Sequence, residues 1–273
     1  MPTISEELPN APAVIEGESE TLDIGSDVTE ASQGSAMGGQ GSVAFVWSDA
    51  LVAGMDGDGW HTEHFLRAHT LLQSTGALHW REVSVVAPER ALASIEALGA
   101  YHDLEYIQSV HALSEGQAST WAAHTFGFSD EGPLVFPGMA ERAGWSVAAA
   151  RRAVQVVLAG ELRHAFSPAG SQPHARRATA VSGDIFNDVL LALRDARDSG
   201  RKVAFLNLEA EHPIVIEEAF YHDPEMLFIS LHEDPHFLYP GTGMVRSVGE
   251  GAGTGFNINV PLPPGAADAE YLA

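Results

Sequence analysis

Six short apolar runs, separated by longer stretches with helical spacing, constrain this chain more than any other feature. They are "VAFVWS" (43–48), "EVSVVAP" (82–88), "LRHAFS" (162–167), "KVAFLNLE" (202–209), "EMLFISLH" (225–232) and "FNINVPL" (256–262). Each reads as a buried strand. The intervening stretches 64–78, 89–99, 102–113, 139–160 and 184–200 read as helices. In the last of these, Ile185, Val189, Leu193 and Ala196 fall on one face. Gly160 is the expected C-cap of the long Ala-rich helix before it. Strands alternating with helices give an α/β fold, a mostly parallel sheet flanked by helices on both faces.

Residues 1–42 stand apart: they are acidic, lack aromatics and end in Gly, Ser and Gln. They cannot bury much apolar surface and are expected to be a disordered acidic tail, with residues 43–273 as the folded domain. The whole chain carries 37 acidic against 14 basic residues, a formal charge of −23. That argues against nucleic acid as a partner, because phosphate binding is driven by Lys and Arg. Solubility explains the charge, and steering of a cationic substrate or basic partner is the sharper alternative. There is no cysteine, so any metal site must use His, Asp, Glu or backbone oxygens. No apolar run approaches membrane-spanning length, and no basic segment leads into an apolar one at the N-terminus. The expectation is a cytoplasmic protein.

The fourth run leads into chemistry. In "VAFLNLEAEHPIVIEEAFY" (203–221), Glu209, Glu211, His212 and Glu217 follow the strand directly. The carboxyl end of a parallel strand is where ligands bind in open α/β sheets. Either this is a metal or catalytic site, or it is the place where one used to be. On a continuing strand, Glu209 and Glu211 would face the same side.

Several segments, in order, resemble the zinc-dependent histone deacetylase and acetoin-utilisation protein family, nearest its bacterial acetoin-utilisation branch. They include "AFSPAGSQPHA" (165–175), "DIFND" (184–188), "VAFLNLEAEH" (203–212), "ISLHEDPHFLYPGTG" (229–243) and "NVPLPPG" (259–265). The resemblance covers residues 43–273 and implies an arginase/deacetylase-like three-layer fold, here shortened at the C-terminus. It also implies an ancestral activity, hydrolysis of acetyl-lysine or a similar amide by water on zinc, iron or manganese.

The residues depart from that machinery. The family pattern D-x-D-x-H-H-G-x-G falls on Asn207 to Val215. Its two metal ligands there correspond to Glu209 and Glu211, a longer carboxylate and a carboxylate in place of an imidazole. The paired general-base histidines correspond to Pro173 and His174, so only His174 remains. Their acidic partners correspond to Asn207 and Ile214. The channel phenylalanine corresponds to Gly183, and an early arginine to His61. The third metal carboxylate and the loop with the catalytic tyrosine are expected beyond Ala273. Asn207, Ser230 and the Leu231 carbonyl match the family's structural monovalent-cation site, and Asp130 or Glu131 its substrate-backbone acid. His102 and His232 are expected to be structural.

Three readings follow. The first is a pseudoenzyme that binds a ligand or partner, with the zinc, iron or manganese of the family absent or weakly held. The second is a metal-dependent amide hydrolase reworked around Glu209, Glu211 and His174, its missing carboxylate supplied across a dimer. The third is a remnant whose last strand, left with an unpaired edge, dimerises or aggregates.

Overall fold

A computed structural model describes residues 42–52, 62–129, 134–170 and 173–272. All six apolar runs form strands. The order is β1 (Val43–Val46), α1 (Thr62–Ser74), β2 (Val83–Val86), α2 (Ile95–Leu98), α3 (Leu104–Ser114), α4 (Thr120–Thr125) and α5 (Met139–Leu158). Then come β3 (His164–Phe166), α6 (Asp188–Asp198), β4 (Val203–Asn207), α7 (Ile214–Phe220), β5 (Met226–Glu233), β6 (Asn257–Leu262) and α8 (Asp268–Tyr271). Every ladder is parallel, in the orders β2-β1-β3 and β4-β5-β6. The α/β fold with parallel strands flanked by helices is therefore the one expected. The proposed tail lies outside the described residues, apart from its last position.

Local chemistry sets the helix boundaries. The stretch read as one helix over 89–99 is a 3-10 turn followed by α2, because the Ser94 side chain breaks in as an N-cap and accepts from the Ala97 N–H. Helix α6 starts at Asp188, four residues later than its apolar pattern, because the Asn187 side chain accepts from the Leu190 N–H. Arg151 on α5 ties the two longest-packed helices together. Its guanidinium makes two 2.7 Å bonds to the Asp195 carboxylate on α6 and a third to the Leu92 carbonyl.

The largest core packs α3, α5 and the segment before α6, with Tyr106, Ile107, Val147, Phe186 and Leu191 fully or almost fully buried. A second core lies between β1 and α5, around Phe45, Val46 and Ala149. A third packs Phe228 of β5 against Leu190 of α6 and Val215 and Ile216 of α7.

The second sheet differs from the sequence expectation on one point. Register pairs Leu206 with Ile229 and Ile229 with Ile258, so these side chains share the face opposite Phe228. Leu206 is 55% exposed, Ile258 42% and Val260 38%. Among the described residues this sheet is thus covered on one face only, whereas parallel sheets are ordinarily covered on both. β3 and β4 are outer strands, and a groove of about 850 Å³ lies between their ends. Phe166, Ser167 and Pro168 line one side and Leu206, Leu208 and Glu209 the other.

Candidate functional site

Strand β4 stops at Asn207, and the next six residues are irregular until Pro213 caps α7. The alternation argument for Glu209 and Glu211 therefore does not apply. Glu209 is exposed at the groove, while Glu211 turns inward and is half-buried. Glu211 Oε2 lies 2.7 Å from His174 Nε2. The His174 side chain is 2% exposed, and its backbone N–H donates to Asp184 Oδ2 at 2.9 Å. The Tyr239 ring stands edge-on to the imidazole, with centroids 5.6 Å apart.

The structure thus joins two of the expected site residues, His174 and Glu211, across 37 positions of sequence (211 minus 174). The histidine has an acidic neighbour after all, at the position expected to hold metal. Burial pushes the His174 pKa below the usual imidazole value and outweighs the opposing pull of Glu211. His174 Nδ1 is buried without a hydrogen-bond partner.

A second polar cluster sits behind the first. His212 Nδ1 lies 2.8 Å from Thr242 Oγ1, and the ring packs 4.8 Å from that of His232. Glu217, at the start of α7, accepts from the Asn257 and Asn259 side-chain amides at 2.6 and 2.8 Å. Its other oxygen is 3.6 Å from His212 Nε2. Burial, helped by repulsion from His232, lowers the His212 pKa to about 3, so the ring is neutral. Gly243, at φ +87, has to lack a side chain, because a Cβ there would overlap both the His212 and His232 rings.

Asn207 has three partners. Its Nδ2 donates to Ser230 Oγ at 3.1 Å and to the Glu209 and Glu211 carbonyls at 3.3 Å each. Ser230 Oγ is in turn 2.9 Å from His232 Nδ1, and His232 Nε2 is 2.9 Å from the Gly243 carbonyl. His232 Nδ1 also lies 3.2 Å from the Ser230 carbonyl, so each ring nitrogen faces a carbonyl oxygen. Leu231, the next residue of β5, is in register with Val260.

His102 is as the sequence suggested. It is 2% exposed, and its Nε2 accepts from the Asn187 N–H at 3.0 Å, while Nδ1 faces the Arg177 carbonyl at 3.3 Å. Asp130, Glu131 and His61 lie outside the described residues. Sequence reasoning did not find Asp184, Tyr239 or Thr242. Each sits in a segment already quoted for the resemblance or directly before one, but nothing in the spacing marks it as a neighbour of a histidine.

The histone deacetylase domain matches residues 61–273. The chain belongs to the histone deacetylase family. It is 30% identical over 219 residues to the acetoin utilization protein AcuC of Bacillus subtilis (strain 168), covering 78% of this chain and 56% of that protein. It is 29% identical over 204 residues to histone deacetylase 8 of Xenopus tropicalis, covering 74% and 54%. With AcuC of Staphylococcus aureus (strain MSSA476) it shares 26% over 234 residues, covering 84% and 59%. The chain spans little more than half the length of these curated relatives.

Family membership implies zinc, so the donor set needs testing against it. Tetrahedral zinc in a hydrolase takes three protein ligands and leaves one position open. Among the described residues no group of three or more His, Asp or Glu side chains is arranged to hold a metal ion. Glu211 is directed at His174, and Glu209 is turned to the groove. The described donor set does not fit a zinc centre. Nor is any helix of the described residues long and apolar enough to cross a membrane.

Proposed function

We propose that this chain is a deacetylase-family protein that does not hydrolyse acetyl-lysine and acts by binding a ligand or partner. The observation that carries the reading is the 2.7 Å contact between His174 Nε2 and Glu211 Oε2. A general base must present its ring nitrogen to a water or substrate proton. Here that nitrogen faces a carboxylate of the same chain, and the carboxylate occupies the position at which the family binds metal. The second base of the family is Pro173, which has no proton-accepting side chain. We take zinc, iron or manganese to be absent or weakly held, and the protein to be cytoplasmic.

The groove is the binding feature. Its volume of about 850 Å³ suits a small molecule or an extended side chain, and it combines apolar walls with Glu209 at the rim. The chain's charge of −23 favours a cationic or basic ligand through long-range attraction.

A second reading, a hydrolase with a reworked metal site, has one observation in its favour. The buried Nδ1 of His174 has no hydrogen-bond partner, which leaves one ring nitrogen for a ligand. One pair of measurements separates the readings. Purified protein is loaded with zinc, iron or manganese, then assayed for metal content and for turnover of acetyl-lysine peptides. The expected result is substoichiometric metal and no turnover above a His174→Ala control. Metal-dependent hydrolysis abolished by that substitution would replace the first reading with the second.

A further inference from the structure

We infer that the side-chain amide of Asn207 takes the place of the structural monovalent cation, so that the end of β4 is closed without potassium or sodium. Three oxygens converge on one nitrogen. They are Ser230 Oγ at 3.1 Å and the Glu209 and Glu211 carbonyls at 3.3 Å each. Two of the three are backbone carbonyls, which cannot donate. The end of the amide facing them is therefore its NH2 and not its oxygen.

The site is built around that NH2. Asn207 is 5% exposed and Ser230 fully buried. An alkali cation is held when several oxygens replace its hydration shell. Here such oxygens are present, but a nitrogen with two hydrogens already stands at their focus. The amide presents the positive end of a dipole, so the carbonyls are satisfied with no ion to desolvate. Its two hydrogens are shared among three acceptors, which accounts for distances at the long end of the hydrogen-bond range. A cation between these oxygens would meet the amide hydrogens head-on.

The contacts continue beyond Ser230. Ser230 Oγ, accepting from Asn207, lies 2.9 Å from His232 Nδ1, and His232 Nε2 lies 2.9 Å from the Gly243 carbonyl. These contacts join β4 through β5 to the Gly243 turn. An aspartate at position 207 would supply a negative charge in place of the donor. It would face the Glu209 and Glu211 carbonyls with no proton between them and so call for a cation.

The test is thermal melting of the full chain in KCl, NaCl and choline chloride at equal ionic strength. It reads stability and is independent of hydrolysis, so it stands whatever the acetyl-lysine assay gives. The expected result is the same Tm in all three salts. In Asn207→Asp, Tm in choline chloride should fall by several degrees and recover in KCl, rising with each tenfold increase in potassium as for any ligand of the native state. A saturable rise in the Tm of the unsubstituted protein with KCl, absent with choline, would overturn the inference. That comparison needs no variant, so it decides the matter even where Asn207→Asp does not fold.

Discussion

Between pH 7 and pH 5 His102 and His212 should together cost the protein about 4 kcal/mol of folding stability, in equal shares, and depressed His174 acts in the same direction. Burial depresses His102 to about 4 and His212 to about 3, against 6.5 for an exposed imidazole. A depressed folded-state pKa means the unfolded chain binds the proton first. Stability is therefore intact above pH 6.5 and falls as pH drops towards the folded values. Each group loses about 1.4 kcal/mol per pH unit inside that window, or roughly 2 kcal/mol by pH 5. The surroundings give only partial relief. Backbone hydrogen bonds with Arg177 and Arg176 favour protonation of His102 but do not offset burial, and the Arg177 charge opposes it. His232 and His174 oppose protonation of His212, and the Asn259 side chain favours it without offsetting burial. Glu217 is 3.6 Å from His212, beyond hydrogen-bond distance, and is already held by two asparagine amides. Urea unfolding at the two pH values checks the total. The chain's large negative charge eases somewhat on acidification and acts in the opposite sense, so variants isolate the histidines. His212→Asn, which can keep a bond to Thr242 Oγ1, should halve the slope. A slope left unchanged by His212→Asn would mean that the fold does not hold this ring neutral.

The strands were legible because each is a short, mainly apolar run set between helical stretches, and all six formed. Their ends were read two or three residues too long where the flanking residues are also apolar, as at Trp47 and Ala87. Helix α7 was not legible. Pro213 and the β-branched Ile214, Val215 and Ile216 favour an extended chain locally, and the helix forms because Val215 and Ile216 bury against Phe228 and Leu190. The site divides in the same way. His174 and Glu211 could be singled out by their positions in the family pattern. Their contact could not, because it depends on how the irregular segment after β4 turns Glu211 inward. Asn207 could be placed at the cation position, but only the direction of its amide reveals that it donates to the very oxygens an ion would need.

Tyr106→Ala should cost about 3–5 kcal/mol, and Tyr106→Phe about 1–3 kcal/mol. Tyr106 is fully buried on α3 within the main core, its ring packed edge-on against Phe126 and Phe186. Its hydroxyl donates to the Ile185 carbonyl at 2.6 Å. Burial raises the phenol pKa, so the group stays a neutral donor. The alanine variant loses the ring and leaves a cavity in a core that packs three segments of the chain. The phenylalanine variant keeps the packing and withdraws only the donor from a buried carbonyl. The difference between the two, read from urea midpoints, separates packing from polar satisfaction. It also reaches the site. Ile185 adjoins Asp184, whose carboxylate holds the His174 backbone N–H. If the hydroxyl positions this segment, Tyr106→Phe should also shift the His174 ring signals in an NMR titration. If those signals stay put while stability falls, the tyrosine supports the core alone, and the placement of His174 rests on Asp184 and Glu211.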